Sequence, residues 1–216
     1  MIVTIDGPAG AGKSSAARIL AERLGFGFLD TGAMYRAVTL AALRKQLDLE
    51  DQSALTDLME TLKIDMPPGR VVLNGDDITG LIRTPEITTA SGPIASSPVV
   101  RRRLVQWQRQ IAAGRSMVCE GRDQGTVVFP EAGCKFFLVA DPVERARRRH
   151  KELKSRGNQL SFDEVLRAQE ERDRRDAGRS IGPMVPAADA IILDSTILTP
   201  AQVVMRMETE VRARLP

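Results

Sequence analysis

A glycine-rich segment near the start of the chain constrains the fold more than any other feature. It reads Gly7-Pro8-Ala9-Gly10-Ala11-Gly12-Lys13-Ser14-Ser15, and it matches the phosphate-binding pattern G-x-x-x-x-G-K-[ST] at every fixed position. An apolar run over residues 2–5 precedes it, and a helix-favouring run over residues 15–24 follows it. A chance glycine-rich turn would not need this strand and helix, so the segment predicts a loop whose backbone N–H groups surround an anion.

The side chains of this loop predict which ligand it holds. Lys13 supplies a mobile positive charge for the β- and γ-phosphates, and Ser14 or Ser15 supplies a hydroxyl near Mg²⁺. The start of the following helix adds N–H groups and the positive end of its dipole. The loop alone therefore predicts a nucleoside triphosphate with Mg²⁺, bound by residues 7–15.

Length and composition suit a single α/β domain with an insertion, since the chain has 216 residues of which 43% are hydrophobic. No apolar run is long enough to cross a bilayer, and a strand that begins at residue 2 leaves no room for a signal peptide. Cys119 and Cys134 lack metal-ligand spacing. We expect both to be reduced thiols, which indicates a cytoplasmic protein.

The net charge of +3 allows three interpretations: a solvated surface, a nucleic-acid-binding face, or arginines that grip a small polyanion. The positions of the arginines favour the third. Arg36, Arg122, Arg172 and Arg179 come from four separate segments that could converge. A protein that binds a duplex would more often arrange its charge along one exposed face. We therefore expect no nucleic-acid partner and no membrane partner.

Five apolar runs predict the strands of a doubly wound parallel sheet, because helix-favouring segments separate them. They cover residues 2–5, 28–29, 116–119, 135–139 and 190–193. Thr31 is placed to cap a helix that begins at Ala33, and Ser161 opens another through a capping box with Glu164. A charged cluster from Glu120 to Asp123 follows the third strand, where ligands of open α/β sheets bind. An Arg–Asp pair that merely closes a loop is the alternative.

Residues 48–97 interrupt this alternation and are predicted to form an inserted subdomain. A helix over residues 48–66 leads to a hairpin with an Asn74-Gly75 turn. Breaks are expected at residues 91–93 and 96–98. Two arginine-rich helices near residues 142–179 predict a mobile lid over a triphosphate, with a solvated charged face as the alternative.

Several blocks of the sequence resemble the bacterial cytidylate kinases, and together they run nearly end to end. These blocks are Ile5-Asp6-Gly7-Pro8, residues 29–36, Ile82-Arg83-Thr84, residues 121–130, Glu171-Arg172-Asp173, Asp176, residues 186–190 and Leu193-Asp194-Ser195-Thr196. The resemblance implies a P-loop kinase that uses ATP and Mg²⁺ to convert CMP or dCMP to the diphosphate. It implies one kinase domain over residues 1–216, with residues 48–97 as the monophosphate-binding subdomain and residues 149–160 as the lid. We expect a monomer whose partners are small nucleotides.

The resemblance also implies roles for individual residues. Lys13, Arg122 and Arg179 match catalytic positions, and Arg36 joins the two arginines in a clamp on the monophosphate beside the Thr31 hydroxyl. Arg101 and Asp123 match contacts to the cytosine, and Arg172 and Asp176 match contacts to the sugar. Asp123 can accept from the exocyclic amine of cytosine and Arg101 can donate to its ring acceptor, a pattern that uracil reverses.

The chain departs from the family's pattern at two places. The family often has Gly and then Thr or Ser after the loop lysine, whereas this chain has Ser14-Ser15, so either hydroxyl can approach Mg²⁺. The family often has a base-contacting serine where this chain has Gly92, and Ser91 or a water can replace it. The rival functions are another small-molecule kinase such as a shikimate kinase, a nucleic-acid-binding regulator with a nucleotide switch, and a binding module without catalysis.

Overall fold

The computed structural model describes residues 1–155 and 157–215. The chain forms two compact units, the first made of Met1–Phe28 with the chain from Gly114 onward, and the second of Leu29–Ala113. Along the chain the elements are β1 (Ile2–Asp6), α1 (Lys13–Leu24), β2 (Gly27–Asp30), α2 (Thr31–Arg44), α3 (Gln52–Thr61), β3 (Ile64–Asp65), β4 (Val72–Leu73), β5 (Asp76–Asp77), a 3₁₀ turn (Leu81–Arg83), α4 (Pro85–Ser96), α5 (Pro98–Ala112), β6 (Met117–Glu120), a π-helical turn (Gln124–Val128), β7 (Cys134–Val139), α6 (Pro142–Ser155), α7 (Phe162–Ala177), β8 (Ile191–Asp194) and α8 (Pro200–Arg212).

A five-stranded parallel sheet with the order β2-β6-β1-β7-β8 forms the centre of the first unit. In the register of the central strands, Ile2 lies opposite Met117 and Val3 lies opposite Cys134. These strands are apolar and buried because helices cover a parallel sheet on both faces. Each predicted strand is found within two residues of its expected bounds, and the predicted α/β fold is confirmed.

The core of the first unit lies where α1 and α8 pack beside the sheet. Leu20 of α1, Phe136 and Leu138 of β7, and Val204 and Met207 of α8 are all almost completely buried in one cluster. Burial of side chains of this size contributes about 1.5–3 kcal/mol each relative to exposure. Cys119 and Cys134 are buried and carry free thiols, as predicted. No helix within residues 1–155 and 157–215 combines the length and the apolarity that a membrane crossing needs.

The second unit contains the predicted hairpin. The strands β4 and β5 pair antiparallel around Asn74 and Gly75, whose φ angles of 50° and 95° are those of the favoured two-residue turn. A third strand, β3, extends the hairpin into a sheet of order β3-β4-β5 that the sequence did not predict. Its two residues are too few to give a period-2 pattern. The predicted insertion, residues 48–97, lies wholly within this unit.

Two local predictions for this unit are wrong. Thr31 does not cap α2: Asp30 is the cap, its Oδ1 accepts from the N–H of Ala33 at 2.8 Å, and Thr31 begins the helix. An aspartate in an extended conformation caps a helix as well as a threonine does, so α2 begins two residues earlier than predicted. Residues 91–93 form no break either, because α4 continues through Pro93. Burial of Ile94 and Ala95 after the proline offsets the lost hydrogen bond.

The predicted break at Ser97-Pro98 is confirmed, since Ser97 caps α5 and Pro98 is its first residue. The predicted helix over residues 48–66 is shorter than expected. It covers Gln52–Thr61 and begins after Asp51, whose side chain caps it.

The hairpin turn gives a stability prediction. An alanine Cβ at Gly75 would have no neighbour within 4 Å, so Gly75→Ala tests the left-handed backbone alone. We expect it to lower the free energy of unfolding of the full chain by roughly 1 kcal/mol in urea titrations. Gly80→Ala is the matched control, because Gly80 is equally unobstructed but has a φ of −74°. An equal effect of both substitutions would contradict the turn assignment.

Candidate active site

The phosphate-binding loop lies between β1 and α1, in the context that the motif requires. Gly7 has a φ of 135°, and a Cβ there would lie 2.1 Å from the carbonyl oxygen of Leu138 on the adjacent strand. Gly12 has a φ of 92° and precedes the first residue of α1. Side chains at these two positions would strain the backbone or collide with β7. The glycines therefore allow the chain to turn sharply from the sheet into the helix.

Lys13 is the first residue of α1 and is buried, with Nζ donating to the carbonyl oxygen of Pro8 at 2.7 Å. Burial and, to a smaller extent, the charge of Arg122 lower the pKa of Lys13 to about 7, although Glu120 raises it. An anion near Nζ would favour the charged form. Ser14 and Ser15 are exposed in the same helical turn.

The outer side of the loop is held by three residues to which sequence reasoning assigned no role. Ala9 donates its N–H to Asp173 Oδ1 at 3.2 Å and accepts from Arg145 Nη1 at 2.9 Å. Arg145 also pairs with Asp173, and Ser195 Oγ donates to the carbonyl oxygen of Ala11 at 2.9 Å. Asp173 and Ser195 lie in sequence blocks that resemble the kinase family, and this could have identified them. Nothing in the sequence distinguishes Arg145 from the other arginines of its helix. Together the three residues hold the loop backbone at Ala9 and at Ala11.

A carboxylate on α7 gathers the predicted arginines of the first unit. Asp176 accepts from Arg122 Nε at 2.9 Å, pairs with Arg179, and lies 3.9 Å from Arg172 Nε. Burial opposes ionisation of Asp176, but Arg122, Arg179 and Arg172 outweigh it and hold its pKa below the ordinary value. Burial likewise opposes the charge of Arg122, and Asp176 and Glu120 outweigh it and raise its pKa. Asp176 thus holds three cations close together.

The turn after β6 presents Arg122 and Asp123. Arg122 Nη1 donates to the carbonyl oxygen of Gly121 at 3.1 Å, and Asp123 is buried. The next two residues, Gln124 and Gly125, donate their N–H groups to the carboxylate of Asp6 at 2.9 and 2.8 Å. The predicted charged cluster at the carboxyl end of the strand is therefore a hydrogen-bonded turn.

The other predicted substrate residues lie in the second unit. Thr31 is buried, and Arg36 pairs with Asp30 at 3.3 Å. Arg101 is buried, donates to the carbonyl oxygen of Ala95 at 3.3 Å, and has its guanidinium carbon 5.9 Å from the centre of the Tyr35 ring. Ser91 donates its hydroxyl to the carbonyl oxygen of Thr88 within α4, at 2.7 Å. The contacts seen for Ser91 are thus those of an ordinary helical serine.

The predicted lid, residues 149–160, covers the end of α6 and the segment that leads to α7. Within it, Arg156 lies outside the described residues. Three basic side chains of α6 are paired with carboxylates of the same helix: Arg147 and Arg148 with Glu144, and Arg149 with Glu152. Arg148 also donates to the carbonyl oxygens of Ser195 and Thr196, at 2.7 and 3.0 Å. The capping box that opens α7 is present, as predicted.

A parallel sheet with a phosphate-binding loop after its first strand defines a P-loop kinase fold. The solved shikimate kinase from Bacteroides thetaiotaomicron shares this fold with a TM-score of 0.50 and 13% identity, covering 98% of each chain. A family model described as cytidylate kinase matches residues 3–213. This chain belongs to the cytidylate kinase family.

Curated relatives agree with the family model. The cytidylate kinase of Carboxydothermus hydrogenoformans is 47% identical over 211 residues, which cover 96% of this chain and 95% of that protein. The cytidylate kinase of Rhodopirellula baltica is 47% identical over 203 residues, which cover 94% and 89%. The resemblance seen in the sequence is confirmed.

The Asp176 cluster predicts a large stability effect. Asp176→Ala leaves Arg122 and Arg179 without their shared carboxylate, so we expect a loss of about 3 kcal/mol in free energy of unfolding at neutral pH. The pKa of Asp176 is depressed, so its contribution is complete above the ordinary value of 3.8 and is lost as the pH falls below it. Urea titrations at pH 7 and pH 3 measure both the loss of unfolding free energy and its dependence on pH.

The control is Glu210→Ala, which removes an exposed carboxylate paired with Arg214. We expect no measurable loss of stability from it. An Asp176→Ala protein that is as stable as the control would contradict the role of Asp176 as the hub of the arginines.

Proposed function

We propose that this protein transfers the γ-phosphate of ATP to CMP or dCMP, giving ADP and CDP or dCDP. Membership of the cytidylate kinase family over residues 3–213 supports this reaction. The observation that carries it is the gathering of Arg122, Arg172 and Arg179 around Asp176 in the unit that contains the phosphate-binding loop. Phosphoryl transfer between two polyanions depends on positioning and on neutralised charge, which such a cluster supplies.

Lys13 is the residue that we assign to the transferred phosphate. Burial lowers its pKa, so the charged form is disfavoured until an anion arrives. A triphosphate near Nζ stabilises the ammonium, which then neutralises charge that develops during transfer. We assign the N–H groups of Gly10, Ala11 and Gly12 and the start of α1 to the remaining phosphate oxygens, because Pro8 has no N–H and that of Ala9 donates to Asp173. The lysine and the loop thus act on the same anion.

Mg²⁺ fits the same place. Ser14 and Ser15 are both exposed in the first turn of α1, and a single hydroxyl suits an ion that takes its other ligands from phosphates and water. The ion, when bound, offsets charge on the β- and γ-phosphates. Either serine can serve.

We assign Arg122 and Arg179 to the acceptor phosphate. Both are charged, largely buried and held by Asp176, so they are oriented before the substrate binds. Hydrogen bonds from guanidinium groups to phosphate are charge-assisted and stronger than neutral ones. Both arginines are assigned to catalysis because the acceptor oxygen must approach ATP against charge repulsion. The sugar contacts of Arg172 and Asp176 stay predictions, as do the roles of Thr31, Arg36, Ser91 and Arg101.

Asp123 is the residue that we assign to the cytosine. Its buried position at the carboxyl end of a strand, next to Arg122, supports this role. A carboxylate accepts from the exocyclic amine of cytosine, whereas uracil presents an acceptor at that position. A buried acceptor left without a donor costs about 1–3 kcal/mol. CMP is therefore favoured over UMP.

The remaining assignments concern the whole molecule. We assign monophosphate binding to residues 48–97 and the lid to residues 149–160. The two buried free thiols support a cytoplasmic enzyme. We assign it a monomeric state with small nucleotides as its partners.

A substrate panel tests the proposed function. ADP release is measured with ATP and Mg²⁺ against CMP, dCMP, UMP, AMP and shikimate. We expect kcat/KM for CMP or dCMP to exceed that for each other acceptor by about 100-fold or more, because mismatched acceptors leave buried polar groups unpaired. Shikimate or AMP as the best acceptor would contradict the proposal.

Lys13→Ala should abolish turnover in the same panel while the protein remains folded, because the lysine acts on phosphate charge. Lys45→Ala is the matched control, since Lys45 is exposed at the end of α2. Near-full turnover of a folded Lys13→Ala protein would contradict the assignment of the loop.

A further inference from the structure

The carboxylate of Asp6 links the phosphate-binding loop to the turn that carries Arg122 and Asp123. Asp6 is the last residue of β1, directly before Gly7, and is 4% exposed. One of its oxygens accepts from the N–H of Gln124 at 2.9 Å, and the other accepts from the N–H of Gly125 at 2.8 Å. A single side chain of β1 thus anchors the backbone of a turn that begins on the neighbouring strand.

The close packing at Gly125 shows how tightly this junction is built. A Cβ there would lie 3.0 Å from Thr4 Oγ1 and 3.5 Å from Asp6 Oδ2. The far end of the turn is anchored separately, because Lys135 Nζ donates to the carbonyl oxygen of Pro130 and pairs with Asp189 at 2.9 Å. The near end, next to Asp123, is held by Asp6 and by the N–H of Gly121, which donates to the carbonyl oxygen of Ile5 at 3.1 Å.

The chemistry at this position calls for two acceptors. Two N–H donors converge on the side chain, and an ionised carboxylate accepts both, whereas an asparagine amide would direct its NH₂ group at one of them. The carboxylate is costly here, since burial raises the pKa of Asp6 to about 6 although the N–H groups of Gly125 and Gln124 lower it. A neutral residue would avoid that cost. The carboxylate therefore serves the geometry of the turn at the expense of stability.

We propose that Asp6 is a positioning residue for base selection, which holds Asp123 in place by accepting the N–H groups of the two residues that follow it. The inference rests on the proposed function. Asp6 does not contact the nucleotide: it acts through the backbone of Gln124 and Gly125. It joins the strand that leads into the ATP loop to the turn that reads the acceptor.

The first test compares Asp6→Asn with Asp194→Asn. Asp194 is the matched control because it also ends a parallel strand and accepts a backbone N–H, from Thr196 at 2.8 Å, in a turn to which no substrate contact is assigned. We expect Asp6→Asn to reduce the ratio of kcat/KM for CMP to that for UMP by about tenfold or more, the scale of an unpaired buried polar group. Its melting temperature is measured to show that the variant is folded, because the substitution removes a buried charge but leaves one backbone N–H facing the amide. The control should keep the wild-type ratio.

A double-mutant cycle with Asp123→Asn tests whether Asp6 changes the CMP-to-UMP ratio through Asp123. If Asp6 acts by holding Asp123, each single variant lowers the CMP-to-UMP ratio and the double variant lowers it no further than Asp123→Asn alone. Additive losses would overturn the inference, because they would show that Asp6 acts on the substrates by another route. An unchanged ratio in Asp6→Asn, with a reduced ratio in Asp123→Asn, would overturn it as well.

The pH dependence of the wild type provides a test that needs no variant to fold. Asp6 faces Lys13 of α1, Asp123 of the turn and Cys119 of β6, and Lys135 of β7 packs on Gly125. Protonation of Asp6 removes an acceptor, so the CMP-to-UMP ratio should fall as the pH drops through about 6. The titrations of Lys13 and of the substrate phosphate affect CMP and UMP alike and cancel in the ratio, and a fall that is unchanged in Asp6→Asn belongs to Asp123 and would overturn the inference.

Stability should change in the opposite direction over the same range. The folded chain binds a proton at Asp6 between about pH 6 and pH 4 that the unfolded chain does not bind, so the contribution of this group to stability increases as the pH falls. A fall in the CMP-to-UMP ratio without a fall in stability is thereby distinguished from acid unfolding. A ratio that does not change between pH 7.5 and pH 5 would overturn the inference. A wild-type protein that does not phosphorylate CMP would instead overturn the proposed function itself.

Discussion

The first unit depends on the electrostatic arrangement around Asp176. Arg122, Arg172 and Arg179 repel one another, and burial makes that repulsion stronger. The carboxylate of Asp176 allows them to remain close together before any phosphate is bound. An enzyme that joins two polyanions needs concentrated positive charge, and a folded protein can hold such charge only with a counter-ion. Asp176 fulfils that need within the chain.

The positive charge of the arginine cluster also acts on the phosphate-binding loop. Arg122 faces Lys13 and lowers its pKa, so the arginine cluster and the loop are coupled by charge. Hydrogen bonds from Arg145, Asp173 and Ser195 fix the loop backbone from outside. With both regions held in place, the energy of binding need not be used to order them. Preorganisation of this kind is what phosphoryl transfer requires of a protein, because positioning supplies most of the catalysis.

Local patterns let the sequence predict the loop, the five strands and the hairpin, since a glycine motif, apolar runs and an Asn-Gly turn each act over a few residues. Where tertiary contacts decide, prediction failed. The continuation of α4 through Pro93 depends on burial of the residues after it. The candidate site likewise divides into features that local sequence predicts and features that depend on tertiary contacts. The arginines could be named from the sequence, but the role of Asp176 as their shared partner could not. That role requires Arg122 of the turn after β6, Arg172 of α7 and Arg179 beyond the end of α7 to come within reach of one carboxylate.

The central claim is that Arg122 and Arg179 are assembled to hold a monophosphate, and calorimetric binding of CMP and of cytidine tests it most directly. We expect CMP to bind at least about 100-fold more tightly than cytidine, which corresponds to about 2.7 kcal/mol from charge-assisted hydrogen bonds. That ratio should fall to about tenfold or less in Arg122→Ala and in Arg179→Ala. It should remain unchanged in Arg23→Ala, whose arginine forms an exposed pair with Glu208. Equal binding of CMP and cytidine by the wild type, or a ratio unaffected by either substitution, would contradict the account.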